Sequence, residues 1–79
     1  GKKILIVEDT ESNYRLLNIL LEKQGAETIW ALTGNQGISI CKNSKDIDLV
    51  LMDINLPDVD GYEATSQIKA FKPNLPIVA

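Results

Sequence analysis

The stretch Leu49-Val50-Leu51-Met52-Asp53-Ile54-Asn55-Leu56-Pro57 decides how this chain is read. Four apolar residues run without a break into Asp53, and the turn-forming set Asn55, Pro57, Asp58, Asp60 and Gly61 follows at once. An unbroken apolar run suits a strand covered on both faces, as in a parallel sheet between helices. A carboxylate at the C-terminal end of such a strand stands where open α/β sheets place their chemistry. Taken alone, Asp53 reads as the first residue of a turn. The rest of the chain has to give it another role.

Upstream, Lys3–Val7 repeats the pattern: Ile4–Val7 is a second unbroken apolar run, and it ends in Glu8-Asp9. Thr10, Glu11, Ser12 and Asn13 supply helix-capping residues and first-turn negative charge. From Tyr14 to Lys23 the stripe Tyr14, Leu17, Leu21, widened by Leu16 and Leu20, predicts an amphipathic helix, and Gly25 falls where a C-terminal cap glycine belongs. Glu27–Ala31 is β-prone and predicts a second strand, with Trp30 as a packing residue. Thr33 caps a weaker helix through Ile38 to Lys42, in which Gly37 costs about 1 kcal/mol relative to alanine. Asn43–Asp46 is a polar connection leading to the opening strand, Asp48–Met52. Past Gly61, the spacing of Ala64, Ile68 and Phe71 predicts a third helix over Tyr62–Phe71. Lys72–Pro76 breaks it, and Pro76–Ala79 begins a fourth strand. The order βαβαβαβ with short connections is an α/β pattern, a doubly wound parallel sheet with helices on both faces.

Length and composition allow one small domain, residues 1–79, with a thin core that buries about 60–65% of the unfolded surface. Apolar content of 44% and charged content of 24% are those of an ordinary globular chain. A net charge of −3 and a pI near 4.7 argue against nucleic acid and anionic membrane as direct partners. No apolar run is long enough to span a bilayer, and the N-terminus lacks a signal-peptide pattern. The one cysteine, Cys41, has no disulfide partner and no companions for a metal site, so it reads as a buried helix residue. A reducing, cytoplasmic setting is expected. With no histidine among the 79 residues, His-based acid–base chemistry, His metal ligation and phosphorylation on His are excluded within them.

If the first and third strands are adjacent, Glu8, Asp9 and Asp53 meet at one sheet edge, where three carboxylates repel each other without a counter-charge. A hard divalent cation resolves this, and oxygen-only ligands suit Mg²⁺ or Mn²⁺ rather than zinc. Asn55, two residues past Asp53, offers its backbone carbonyl to the same ion. Asp53 is then placed to act as a nucleophile and form an aspartyl-phosphate.

Together the pieces Ile4–Asp9, Asp48–Asp53, Leu56-Pro57, Asp60-Gly61 and Pro76–Ala79 resemble the receiver domain of two-component response regulators, with its CheY- or flavodoxin-like sheet. Ala31, Gly34 and Ile38 also fall where that family places its second strand and helix. The resemblance covers the whole chain. It implies a sheet order 2-1-3-4, Asp53 as phosphoacceptor and metal ligand, and Asp9 as a direct ligand. Glu8 would act through water and Asn55 through its main-chain oxygen, while Pro57 and Gly61 shape the loop. It further implies a Mg²⁺ cofactor, a phosphoryl donor that is a sensor histidine kinase or a histidine phosphotransfer protein, and a signalling role rather than an enzymatic one. The Gly61–Thr65 segment resembles receivers attached to hybrid histidine kinases. In that family the chain goes on to a hydroxyl residue about two positions past Ala79, a fifth strand with a Lys, and two more helices. The expectation is therefore a receiver incomplete at its C-terminus, truncated to βαβαβαβ, with normal switching lost.

Two other readings separate from this one on particular residues. A haloacid-dehalogenase-like phosphatase also uses a strand-end Asp nucleophile but needs a second Asp two positions later, where this chain has Asn55. A dinucleotide-binding turn needs glycines where Glu8–Ser12 is acidic and polar. For the 79 residues in isolation, an uncovered fourth-strand edge predicts instability or self-association, a homo-oligomer formed through that edge.

Overall fold

The two unbroken apolar runs become the central strands of one sheet. The computed structural model describes residues 1–79. In it β1 (Lys3–Val7) lies between β2 (Glu27–Ala31) and β3 (Leu49–Met52), and β4 (Ile77–Val78) pairs with the far side of β3. All three pairings are parallel, giving the order β2-β1-β3-β4. Val7 is in register with Ala31 on one side and Met52 on the other, so the strands end nearly level. This is the 2-1-3-4 order that the resemblance implies, with three helices between the strands.

Alternation along the strands divides the helices between two faces. Leu5 and Val7 of β1 and Val50 and Met52 of β3 point to one side, where α2 (Gly34–Asn43) and α3 (Gly61–Phe71) close the core with Ile38, Cys41, Ala64 and Ile68. Cys41 is fully buried there, and burial pushes its thiol pKa up. Gly37 has a reason to be glycine: a Cβ there would stand 2.8 Å from Val7 Cγ2, so its absence lets α2 sit close on β1. The opposite face, presented by Ile4 and Ile6, carries α1 (Glu11–Glu22).

Helix α1 differs from the sequence-based expectation. It begins three residues before Tyr14, with Thr10 at the N-cap in extended conformation, but the Thr10 hydroxyl turns to the Asp9 carboxylate instead of capping the helix. Its half-buried stripe is Tyr14, Leu17, Asn18 and Leu21, whereas Leu16 and Leu20, expected to widen it, are 60% and 52% exposed. A single helix on this face covers only the sheet directly beneath it. Gly25 ends the turn after α1 with φ +83°, and Ala26 N–H returns to the Leu21 carbonyl. Phe71 likewise lies outside the buried face of α3, which is Gly61, Ala64 and Ile68, and Lys42 sits over its ring. No helix is long and apolar enough to cross a membrane.

Candidate functional site

Because β1 and β3 are neighbours that end level, the residues following them leave the sheet side by side. Asp53 N–H donates to the Val7 carbonyl at 3.0 Å, and Glu8 N–H donates to the Ala31 carbonyl at 3.0 Å. Main-chain pairing therefore continues one residue past each strand and aims three acidic side chains at one point. Glu8, Asp9 and Asp53 each bring a carboxylate oxygen to within 4.8 Å of the others. Asp9 is exposed; Glu8 and Asp53 are half-buried.

No cation of the chain neutralises this group. The ion pairs join Lys3 to Asp46 and Glu27, and Arg15 to Glu11. Local donors occupy one oxygen of each carboxylate. Asn55 N–H donates to Asp53 Oδ1 at 3.1 Å, Thr10 N–H to Glu8 Oε2 at 3.2 Å, and the Thr10 hydroxyl to Asp9 Oδ1 at 3.4 Å. The second oxygen of each has no protein donor. Three anionic groups with spare oxygens, held together and unpaired, are the donor set a hard divalent cation takes. Asn55 lines the same recess as Glu8 and Asp53, its side chain exposed.

The loop after Asp53 is tied down at several points. Leu56 and Val59 pack against the core, while Pro57 stands exposed in a bend. Asp60 caps α3, accepting from Glu63 N–H at 2.9 Å. Gly61 N–H donates to the Ile54 carbonyl at 3.0 Å, and a Cβ at Gly61 would stand 2.4 Å from the Asp53 carbonyl oxygen.

Two residues acquire roles that the linear sequence did not suggest. Asp58 reaches across to the start of α2 and accepts from Gly34 N–H and Asn35 N–H, both at 2.9 Å. Desolvation pushes its carboxyl pKa up, but the main-chain donors Asn35, Gly34 and Val59 outweigh this and hold it below the ordinary aspartate value. Trp30 does pack, stacking on Tyr14, and its indole N–H also donates to the Glu8 carbonyl at 2.7 Å. Neither contact has a local sequence signal.

Comparison with known proteins agrees with this geometry. Residues 4–79 match the family model described as the response regulator receiver domain. Histidine kinase 3 of Arabidopsis thaliana is 42% identical over 69 residues, which are 87% of this chain and 7% of that protein. The receiver domain of a sensor histidine kinase from Pseudomonas aeruginosa PAO1, solved with magnesium coordinated in its active-site cleft, superposes with a TM-score of 0.91 at 33% identity. The alignment covers 98% of this chain and 64% of that one. The complex of histidine kinase ThkA with the response regulator TrrA gives a TM-score of 0.89 at 31% identity, covering 98% and 66%. The chain thus spans under a tenth of its curated relative and about two thirds of these solved chains. With its sheet order and strand-end acids, the chain belongs to the response regulator receiver domain family of two-component signalling.

Proposed function

We propose that this chain is a phosphoacceptor module of a two-component phosphorelay, in which Asp53 accepts a phosphoryl group. The observation that carries the proposal is the convergence of Glu8, Asp9 and Asp53 at the C-terminal edge of the sheet, with a free oxygen on Asp53. Asp53 and Asp9 would hold Mg²⁺ directly, Asn55 through its main-chain oxygen and Glu8 through water; Mn²⁺ suits the same oxygens. When bound, the cation offsets negative charge on the phosphoryl group and the approaching carboxylate. The free oxygen of Asp53 attacks phosphorus, a P–O bond forms, and the bond to the donor nitrogen breaks. The electron pair leaves with the donor imidazole, which takes up a proton. The N–H of Asn55 on Asp53 Oδ1 keeps the other oxygen turned toward the incoming group. Pro57 and Gly61 set the path of the loop that carries these donors.

No histidine lies within the 79 residues, so the donor is a phosphohistidine outside them, on a sensor histidine kinase or a histidine phosphotransfer protein. The solved kinase complex of a family member supports a partner of the first kind. The setting is cytoplasmic, the role is signalling rather than turnover, and the acidic balance leaves nucleic acid and membrane to other partners. The open edge of β4 favours pairing with a second copy.

The test is phosphorylation with acetyl phosphate and Mg²⁺. Label that is acid-stable nowhere and hydroxylamine-sensitive should appear on the wild-type protein and vanish in Asp53→Asn. Equal labelling of Asp53→Asn would sink the assignment. Sustained phosphatase turnover dependent on Asp53 would instead favour the dehalogenase-like reading, against which Asn55 stands at the position of the general acid.

A further inference from the structure

The main-chain ladder between β1 and β2 ends at the Val7–Ala31 pair, with Glu8 N–H donating to Ala31 as its last bond. Alternate residues of β2 donate to β1, beginning with Glu27 N–H on the Lys2 carbonyl, so the donor next in line for the Glu8 carbonyl is Thr33 N–H, and that bond is not made. The Glu8 carbonyl therefore receives no main-chain donor. Trp30 fills the gap, with its indole Nε1–H donating to that carbonyl at 2.7 Å. Its ring is anchored from α1 by Tyr14, with centroids 4.5 Å apart and planes 4° from parallel. The peptide that joins Glu8 to Asp9 begins with this carbonyl. Its plane governs the direction in which both carboxylates leave the chain, because φ and ψ are the only soft backbone torsions.

We propose that Trp30 is a positioning residue of the metal centre, its indole N–H fixing the Glu8–Asp9 peptide so that both carboxylates face Asp53. This rests on the reading of the three carboxylates as a Mg²⁺ site. It goes further in assigning part of the site's preorganisation to a side chain that touches neither metal nor substrate. Partners of this indirect kind change metal affinity without contributing a ligand. Phenylalanine or leucine at position 30 would fill the same space, but neither carries an N–H.

Two variants separate positioning from packing. Trp30→Phe keeps an aromatic ring on Tyr14 and deletes the donor; Tyr14→Leu removes the stack and keeps the donor. Mg²⁺ affinity, by calorimetry, should fall about tenfold in Trp30→Phe. In Tyr14→Leu it should change by less than about twofold even though thermal stability drops, since the bond to the Glu8 carbonyl survives. Wild-type Mg²⁺ binding with unchanged affinity in Trp30→Phe overturns the positioning role and leaves the metal site standing. Absence of Mg²⁺ binding in the wild type overturns both. If Trp30→Phe does not fold, the Trp30 indole ¹H–¹⁵N cross-peak decides. It should shift in step with Mg²⁺ saturation in the wild type and stay still in Asp9→Asn. A cross-peak that does not move at saturation refutes the proposal.

Discussion

Gly61 marks the closest approach between the end of the acceptor strand and the helix that follows it. An added Cβ would stand 2.4 Å from the Asp53 carbonyl oxygen and 2.8 Å from Ile54 Cα, both backbone atoms that cannot swing aside. Gly61→Ala should therefore push α3 away from Asp53, costing about 1–3 kcal/mol of stability. Denaturant unfolding reads this cost, and weakened Mg²⁺ binding should accompany it because the same shift drags Asp53. An alanine variant as stable as the wild type would mean that the loop relaxes freely. At this scale the candidate site was largely legible in the sequence. Two apolar runs, each ending in acid, place Glu8, Asp9 and Asp53 at strand ends, and parallel pairing of those strands leaves the acids one edge on which to meet. Asp58 and Trp30 were not legible, because their partners lie 24 and 22 residues away and are fixed only by the fold. Read locally, Asp58 is a turn residue and Trp30 a packing residue, and both descriptions remain true as far as they go.

Among the elements, α2 and the loop after β3 are joined by a cap that neither could supply alone. Thr33, the N-cap of α2, accepts only from Gln36 N–H; the two preceding donors, Gly34 and Asn35, are satisfied by Asp58 from the other segment. A carboxylate at a helix N-terminus also interacts favourably with the helix dipole. The folded pKa of Asp58 lies below the ordinary value of 3.8, so the folded state binds its proton less readily than the unfolded chain. The stability from this contact is then fully present above about pH 4 and is lost as pH falls through the lowered folded value. Asp58→Asn keeps one acceptor but no charge and should cost about 1 kcal/mol at neutral pH. In urea unfolding the gap between the two proteins should stay flat from pH 5 to 8 and close below about pH 4. A gap of constant size down to strongly acidic pH would show that charge has no part in the cap. Helix α1 shows the limit of periodicity at this scale: the pattern correctly gave a helix, yet Leu16 and Leu20 lie outside its half-buried stripe. An apolar residue shows that a surface is available for burial, and only the neighbouring elements decide whether it is covered.

Across the molecule the two faces of the sheet are unequal. The α2–α3 face closes over a cluster of 11 buried residues, whereas α1 contributes no fully buried residue. Leu16, Ile19 and Leu20 lie exposed on α1, and Ile6, Leu17, Leu51 and Val78 line an open recess on the same side of the sheet. Beside it, β4 is two residues long, is bonded only to β3, and leaves its other edge unpaired, with Val78 52% exposed. An unpaired edge beside apolar surface is a template for a second chain. A symmetric pair that covers a few hundred Å² on each partner gains on the order of 10–15 kcal/mol. Association itself costs about 4–15 kcal/mol in lost freedom, so the surplus is at most about 11 kcal/mol, short of nanomolar affinity, and reaches micromolar affinity where the cost stays below about 7 kcal/mol. The polypeptide of residues 1–79 should therefore scatter light as a dimer or larger species at tens of micromolar and dissociate on dilution. Leu20→Lys puts a charge on the exposed apolar surface of α1, outside the recess that Glu8 and Asp53 line, and should shift the population to monomer while Mg²⁺ binding is retained. A wild-type polypeptide that stays monomeric across that concentration range would show that α1 and the short fourth strand protect this face well enough alone.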